Sequence, residues 1–130
     1  MAFVLFVVLD LVWFKFAGNF FKAEAGSILR LSEDGAWQVN LSAAMMVYVL
    51  MAIGTIVFVL PLGAGIFHQT LFFGALFGLL TFGIFDFTNL SIVSAWTIRF
   101  ALVDMVWGVT VNAAVAACMY TVSRVLFPHA

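Results

Sequence analysis

Charge is what this chain has least of. Only 8% of its 130 residues are Asp, Glu, Lys or Arg, against about 25% in a soluble domain. Five basic residues face six acidic ones for a net charge of −1. That excludes the basic stripe a nucleic-acid-binding surface needs. The single cysteine, Cys118, excludes a disulfide or zinc framework, and inside an apolar run it reads as a small packing residue. The two histidines, His68 and His129, belong to no His/Cys/Asp/Glu spacing that suggests a metal site. No serine has a histidine close enough in sequence to suggest a nucleophilic triad.

The remainder is apolar: 66% hydrophobic residues, sixteen of them phenylalanine, with a mean hydropathy of +1.23. A soluble fold of this size has no interior large enough to hide such a surface. The expected class is therefore all-α: one polytopic membrane domain, built as a four-helix bundle.

A span needs about 20 apolar residues at 1.5 Å rise per residue. Four segments qualify, over residues 2–21, 41–60, 71–93 and 98–126. The N-terminal segment has no basic start and no small-residue cleavage pattern, so it reads as the first span, not as a signal peptide. Asp10 and Lys15 interrupt it; Lys15 can reach the interface along its alkyl stem, Asp10 cannot. Pro61-Leu62-Gly63-Ala64-Gly65 stops the second span, leaving His68 and Gln69 in the loop that follows. The loop before the fourth span is short, so spans three and four are expected to be antiparallel neighbours. Pro128 follows the fourth span.

The longest loop, between spans one and two, holds Lys22, Glu24, Arg30, Glu33 and Asp34. Ser32-Glu33-Asp34-Gly35 reads as a turn and Trp37 as an interfacial anchor. Loops one and three carry Lys22, Arg30 and Arg99, with Lys15 counted on the same side, and the opposite side carries Arg124, His68 and His129. The positive-inside bias therefore puts loops one and three in the cytoplasm and both termini outside.

Three aspartates stand in apolar surroundings, Asp10, Asp86 and Asp104, out of six acidic residues in all. A carboxylate at the centre of a spanning helix costs about 2.5–3.5 kcal/mol on insertion scales, so by default it marks a functional site. Counting helix rise from the cytoplasmic ends puts Asp86 about 10 Å deep, Asp104 about 6–10 Å, Asp10 about 16 Å and Tyr48 about 10 Å. All four spans thus place a polar group in the same half of the bilayer, where they can converge on one pocket. Asn89 shares a helix face with Asp86, Trp13 with Asp10, and Trp107 with Asp104. Each tryptophan is expected to shield the acid beside it and donate its indole N–H there. Asn112, one turn beyond Gly108, extends the polar stripe of the fourth span. Gly74-Ala75-Leu76-Phe77-Gly78 is a small-xxx-small element that lets another helix approach, from this chain or from a second copy. Asp-x-x-Trp occurs twice, in spans one and four, which run in opposite directions; inverted repeats of that kind frame sites in transporters.

Leu9-Asp10-Leu11-Val12-Trp13, Gly74-Ala75-Leu76-Phe77-Gly78, Phe85-Asp86-Phe87-Thr88-Asn89-Leu90, Trp96 and Val103-Asp104-Met105-Val106-Trp107-Gly108, taken together, resemble the DUF2177 family of bacterial membrane proteins. The resemblance covers nearly the whole chain. Phe85 stands where the family usually has tyrosine, so that hydroxyl is not essential to a shared role. The resemblance implies a compact four-span protein of a bacterial inner membrane, with Asp10, Trp13, Asp86, Asn89, Trp96, Asp104 and Trp107 as signature positions. It implies no reaction and no cofactor.

Three functions fit. One is a small binding or carrier protein for a proton, a cation or a small amphiphile, with Asp10, Asp86 and Asp104 as the protonatable groups, Asn89 and Tyr48 orienting the ligand, and tryptophans lining the site. Another is a non-catalytic subunit of a larger respiratory or photosynthetic membrane complex. The third is a membrane-embedded enzyme acting on lipid or isoprenoid with paired carboxylates; no nucleophile or cofactor motif supports it. Expected partners are the bilayer and either a second copy of the chain or a larger complex, not nucleic acid.

Overall fold

The computed structural model describes residues 1–126, so Pro128 and His129 lie outside the described residues. Four helices long and apolar enough to cross a membrane make up the fold: α1 (Ala2–Ala25), α2 (Leu41–Leu62), α3 (Phe67–Ile92) and α4 (Ile98–Leu126). Their outward faces carry exposed Leu, Ile, Val and Phe, among them Leu11, Phe16, Leu50, Ile84 and Val106. That is the surface a bilayer covers without cost, because lipid is as apolar as the side chains.

With no hydrophobic force to drive helices together in lipid, close approach depends on small residues. The tightest pair is α3 with α4. A Cβ on Gly74 would meet Ala116 and the Asn112 carbonyl, one on Gly78 the Gly108 carbonyl, and one on Gly108 the ring of Phe82. The small-xxx-small face is thus occupied by α4 of the same chain. Gly54 of α2 receives the ring of Phe77 in the same manner.

Two helix boundaries differ from the hydropathy reading. α1 continues past the apolar run to Ala25, because Phe21 and Ala25 pack with Phe100 of α4 and Glu24 is bound there. α3 starts at Phe67, so His68 and Gln69 lie in its first turn and not in the preceding loop. The turn is completed by then: Ala64 and Gly65 take positive φ, 48° and 70°, and Ile66 is extended. Inside α2, residues Thr55–Val59 widen into a π segment, the type of irregularity that frequently marks functional positions. Thr55, buried there, donates its hydroxyl to the Met51 carbonyl at 2.9 Å.

Loops one and three meet at the same end of the bundle. Thr97 caps α4 by accepting the Phe100 amide at 3.0 Å, and donates to Glu24 Oε2 at 2.7 Å. Arg99 reaches the other Glu24 oxygen at 3.3 Å. From the last turn of α1, Lys22 donates to the Gly35 carbonyl of loop one at 2.7 Å and lies over the Trp37 ring. Ser32 bonds to Asp34. That hydroxyl, then the backbone amides of Asp34 and Ala36, hold Asp34 below the usual carboxylate range.

The core has two parts. Ala2, Phe6, Met51, Ala52, Val111 and Val115 pack toward the N-terminal end of α1. Phe21, Ala25 and Phe100, with Trp13, Trp37 and Trp96, pack toward loops one and three. Along α1 and α4, Asp10 and Asp104 fall between them.

Cys118 is exposed on the outer surface of α4, not packed inside. It lies two positions from the buried Ala116, which turns it about half a helical revolution away.

Candidate functional site

A cavity of about 320 Å³ opens where the two cores part, and all four helices contribute to it. Its polar wall is Asp10 from α1, Thr81 from α3 and Asp104 from α4. Its aromatic wall is Trp13, Phe14, Phe82, Phe85 and Trp107, and α2 adds Val47 and Met51.

The two Asp-x-x-Trp segments meet face to face across this cavity. Trp13 stacks on Trp107 with ring centroids 4.6 Å apart and planes 2° from parallel. Trp107 donates its indole N–H to Asp10 Oδ1 at 2.7 Å. The donor to this acid therefore comes from the opposite helix, not from its own i+3 neighbour; the Trp13 N–H is buried without an acceptor among the described residues. The correction has a geometric cause. An i, i+3 pair shares a face but projects in parallel, whereas an antiparallel partner helix points its side chains inward against it. Tyr48 of α2 turns its hydroxyl toward the same carboxylate.

Asp86 is 0% exposed. Trp96, in the turn between α3 and α4, donates to its Oδ1 at 3.2 Å, and its Oδ2 has no donor among the described residues. The side chain that reaches it from α4 is another acid, Asp104, which also faces Asp10. Three helices thus deliver one carboxyl each to a row in which Asp104 lies within electrostatic reach of both Asp86 and Asp10. Among the described residues, the groups that reach this row are Trp96, Trp107, Tyr48 and the acids themselves, and none is basic.

Two residues of the sequence-based set stand elsewhere. Asn89 donates to the Phe85 carbonyl of its own helix at 2.9 Å and does not line the cavity. Asn112 is buried where α3 crosses α4, donating to the Gly108 carbonyl at 2.8 Å, with no partner for its Oδ1 among the described residues. Both amides satisfy a backbone carbonyl one turn back, an alternative always open to a short polar side chain in a helix.

The cavity also has members that sequence reasoning missed. Phe14 lies four residues from Asp10, Phe82 four from Asp86, and Val47 and Met51 are four apart, so helical spacing offered a signal for each. The link from Glu24 to Thr97 and Arg99 joins residues more than seventy positions apart, and no local pattern announces it.

A family model described as "Predicted membrane protein (DUF2177)" matches residues 1–121. No curated protein and no solved structure matches the chain.

Proposed function

The chain belongs to the DUF2177 family of predicted membrane proteins, and from that premise we propose that it is a single transmembrane unit that exchanges protons for a cation at the Asp86–Asp104–Asp10 row. One observation carries the reading: three carboxyls converge inside an apolar bundle and, among the described residues, the groups that reach them include no basic side chain. Unpaired carboxylates are not sustained in a low-dielectric interior. Their compensating charge is supplied by protons, by a bound cation, or by one replacing the other. Asp104, between the other two, is the exchanging group; Trp107 and Tyr48 fix Asp10; Trp96 fixes Asp86.

Acid should weaken cation binding, because protonated carboxyls no longer attract the cation. The test is proton release into weakly buffered solution when cations are added to the protein in lipid nanodiscs. Wild type releases protons, and Asp104→Asn releases fewer. Equal release from both would sink the reading.

The expected orientation places loops one and three in the cytoplasm of an inner membrane, on the charge of Lys22, Arg30 and Arg99. In this orientation Asp86 lies toward the cytoplasmic end of α3, bonded to Trp96 of the α3–α4 turn. Isolation in gentle detergent addresses the alternative role in a larger complex: co-elution with one, while Asp→Asn variants still incorporate, would reassign the acids to helix packing.

A further inference from the structure

Resting on the reading of the acidic row as a cation site, we propose that its occupant is an amphiphilic organic cation bearing a flat ring, admitted sideways from the bilayer between α2 and α3.

The wall of the cavity argues against a bare inorganic ion. A hard cation such as Ca²⁺ replaces its hydration shell with about 6–8 oxygens. Here the lining side-chain oxygens are those of Asp10, Asp104 and Thr81. The rest of the wall is rings and aliphatic groups. The volume, about 320 Å³, lies within the roughly 300–1,000 Å³ of small-molecule sites.

An organic cation reverses each of these objections. It is weakly hydrated, it needs few oxygens, and aromatic faces attract it. Trp107, tied to Asp10 by its N–H and stacked on Trp13, offers ring and carboxylate in one fixed arrangement. Phe82 and Phe85 supply rings from the opposite wall.

Access follows from how α2 is held. Its N-terminal half leans chiefly on α1, and it meets α3 from the π segment onward. Phe14, Val47 and Phe85, which line the cavity from three helices, are 44%, 51% and 52% exposed, and all three lie within apolar spans. The opening thus faces the hydrocarbon layer, where an amphiphile resides, and not the aqueous loops.

Asp86 completes the site. Fully buried, with an Oδ2 that has no donor among the described residues, it stands behind Asp104 on the side away from the cavity. When a cation arrives at Asp104 and Asp10, one proton leaves the acidic row: one charge in, one charge out. The titratable groups facing Asp104 in this exchange are Asp10, Asp86 and, through Asp10, Tyr48.

The experiment is equilibrium binding of radiolabelled benzyldimethyloctylammonium to the full chain in nanodiscs, corrected for empty nanodiscs, beside its uncharged carbon isostere and sodium chloride. Saturable binding of the cation should weaken about tenfold or more in Asp104→Asn, the scale of one lost charged contact. It should also weaken in acid, and sodium should not compete. In a time course of the same binding, Val47→Trp, at an exposed position on the rim, should slow uptake, and it decides the matter if Asp104→Asn does not fold. Equal binding of the uncharged isostere, or unaltered uptake in Val47→Trp, overturns the proposal. Competition by sodium with proton release intact overturns the organic-cation class and leaves proton–cation exchange standing. No binding and no proton release from any cation overturns both.

Discussion

Trp13 and Trp107 occupy matching places in two copies of one motif, yet the same substitution should not cost the same at each. Tryptophan to phenylalanine removes a similar area of ring from both and leaves an aromatic face for stacking. Only at position 107 does it also remove an N–H that Asp10 accepts at 2.7 Å; the Trp13 N–H has no acceptor among the described residues. To first order the packing term cancels between the variants, and their difference is the hydrogen bond. Interhelical hydrogen bonds in membranes average about 0.6 kcal/mol and reach about 1.7 kcal/mol. A carboxylate acceptor places this one toward the upper end. Trp107→Phe should therefore be less stable than Trp13→Phe by about 1–1.7 kcal/mol, a roughly five- to sixteen-fold difference in the unfolding equilibrium at about 1.4 kcal/mol per decade. Denaturing-detergent titration in mixed micelles, or steric trapping in bicelles, reads that range. Equal stabilities, or a costlier Trp13→Phe, would refute the assignment of donor to acid.

Glycine substitutions in α3 should split in sign. Gly78→Ala sets a Cβ against the Gly108 backbone; overpacking of about 1–3 kcal/mol outweighs a helix-propensity gain of about 1 kcal/mol, and the same unfolding titration should find it destabilised. Gly83→Ala meets only the flexible end of Met105, at 3.4 Å, and should be neutral or stabilising by up to about 1 kcal/mol. At the loop end, Thr97→Ala removes the α4 cap and should cost about 0.5–2 kcal/mol. Glu24→Gln should cost less, about 0–1 kcal/mol, since Arg99 is 73% exposed; Thr97→Ala proving the milder of the two would contradict the capping geometry. The Asp34 turn should loosen in acid. A carboxyl held below its unfolded value contributes stability above the ordinary carboxylate range and loses it as pH falls through the lowered value. Faster amide exchange at Ala36 in acid, after correction for intrinsic rates, and not in Asp34→Asn, is the expected observation.

Much of this molecule is legible along the chain, and for identifiable reasons. Hydropathy depends on composition within about twenty residues, so four helices could be counted before any contact was known. The acids could be singled out because a carboxylate in an apolar run is costly wherever its neighbours prove to be. Helix ends were less legible where tertiary contact extends a helix past its apolar stretch, as Phe21, Ala25 and Glu24 do for α1 against Phe100 and Thr97. The indole donors were misassigned because an i, i+3 neighbour is visible in sequence and a side chain from an antiparallel helix is not. Asn89 and Asn112 share a periodic face with the acids, yet each turned to its own backbone.

By itself the sequence determined that the chain is a four-helix membrane protein, that three acids stand inside it, and, through local motif order, its family. Those properties reside in single helices and their solvent. Only the tertiary structure decided that Gly74 and Gly78 receive α4 and that Trp107 serves Asp10. It also decided that the three acids form one row, with Asp10 and Asp104 facing a cavity ringed by aromatics. Helix crossing and rotation set those pairings, and both are fixed by packing among all four helices at once.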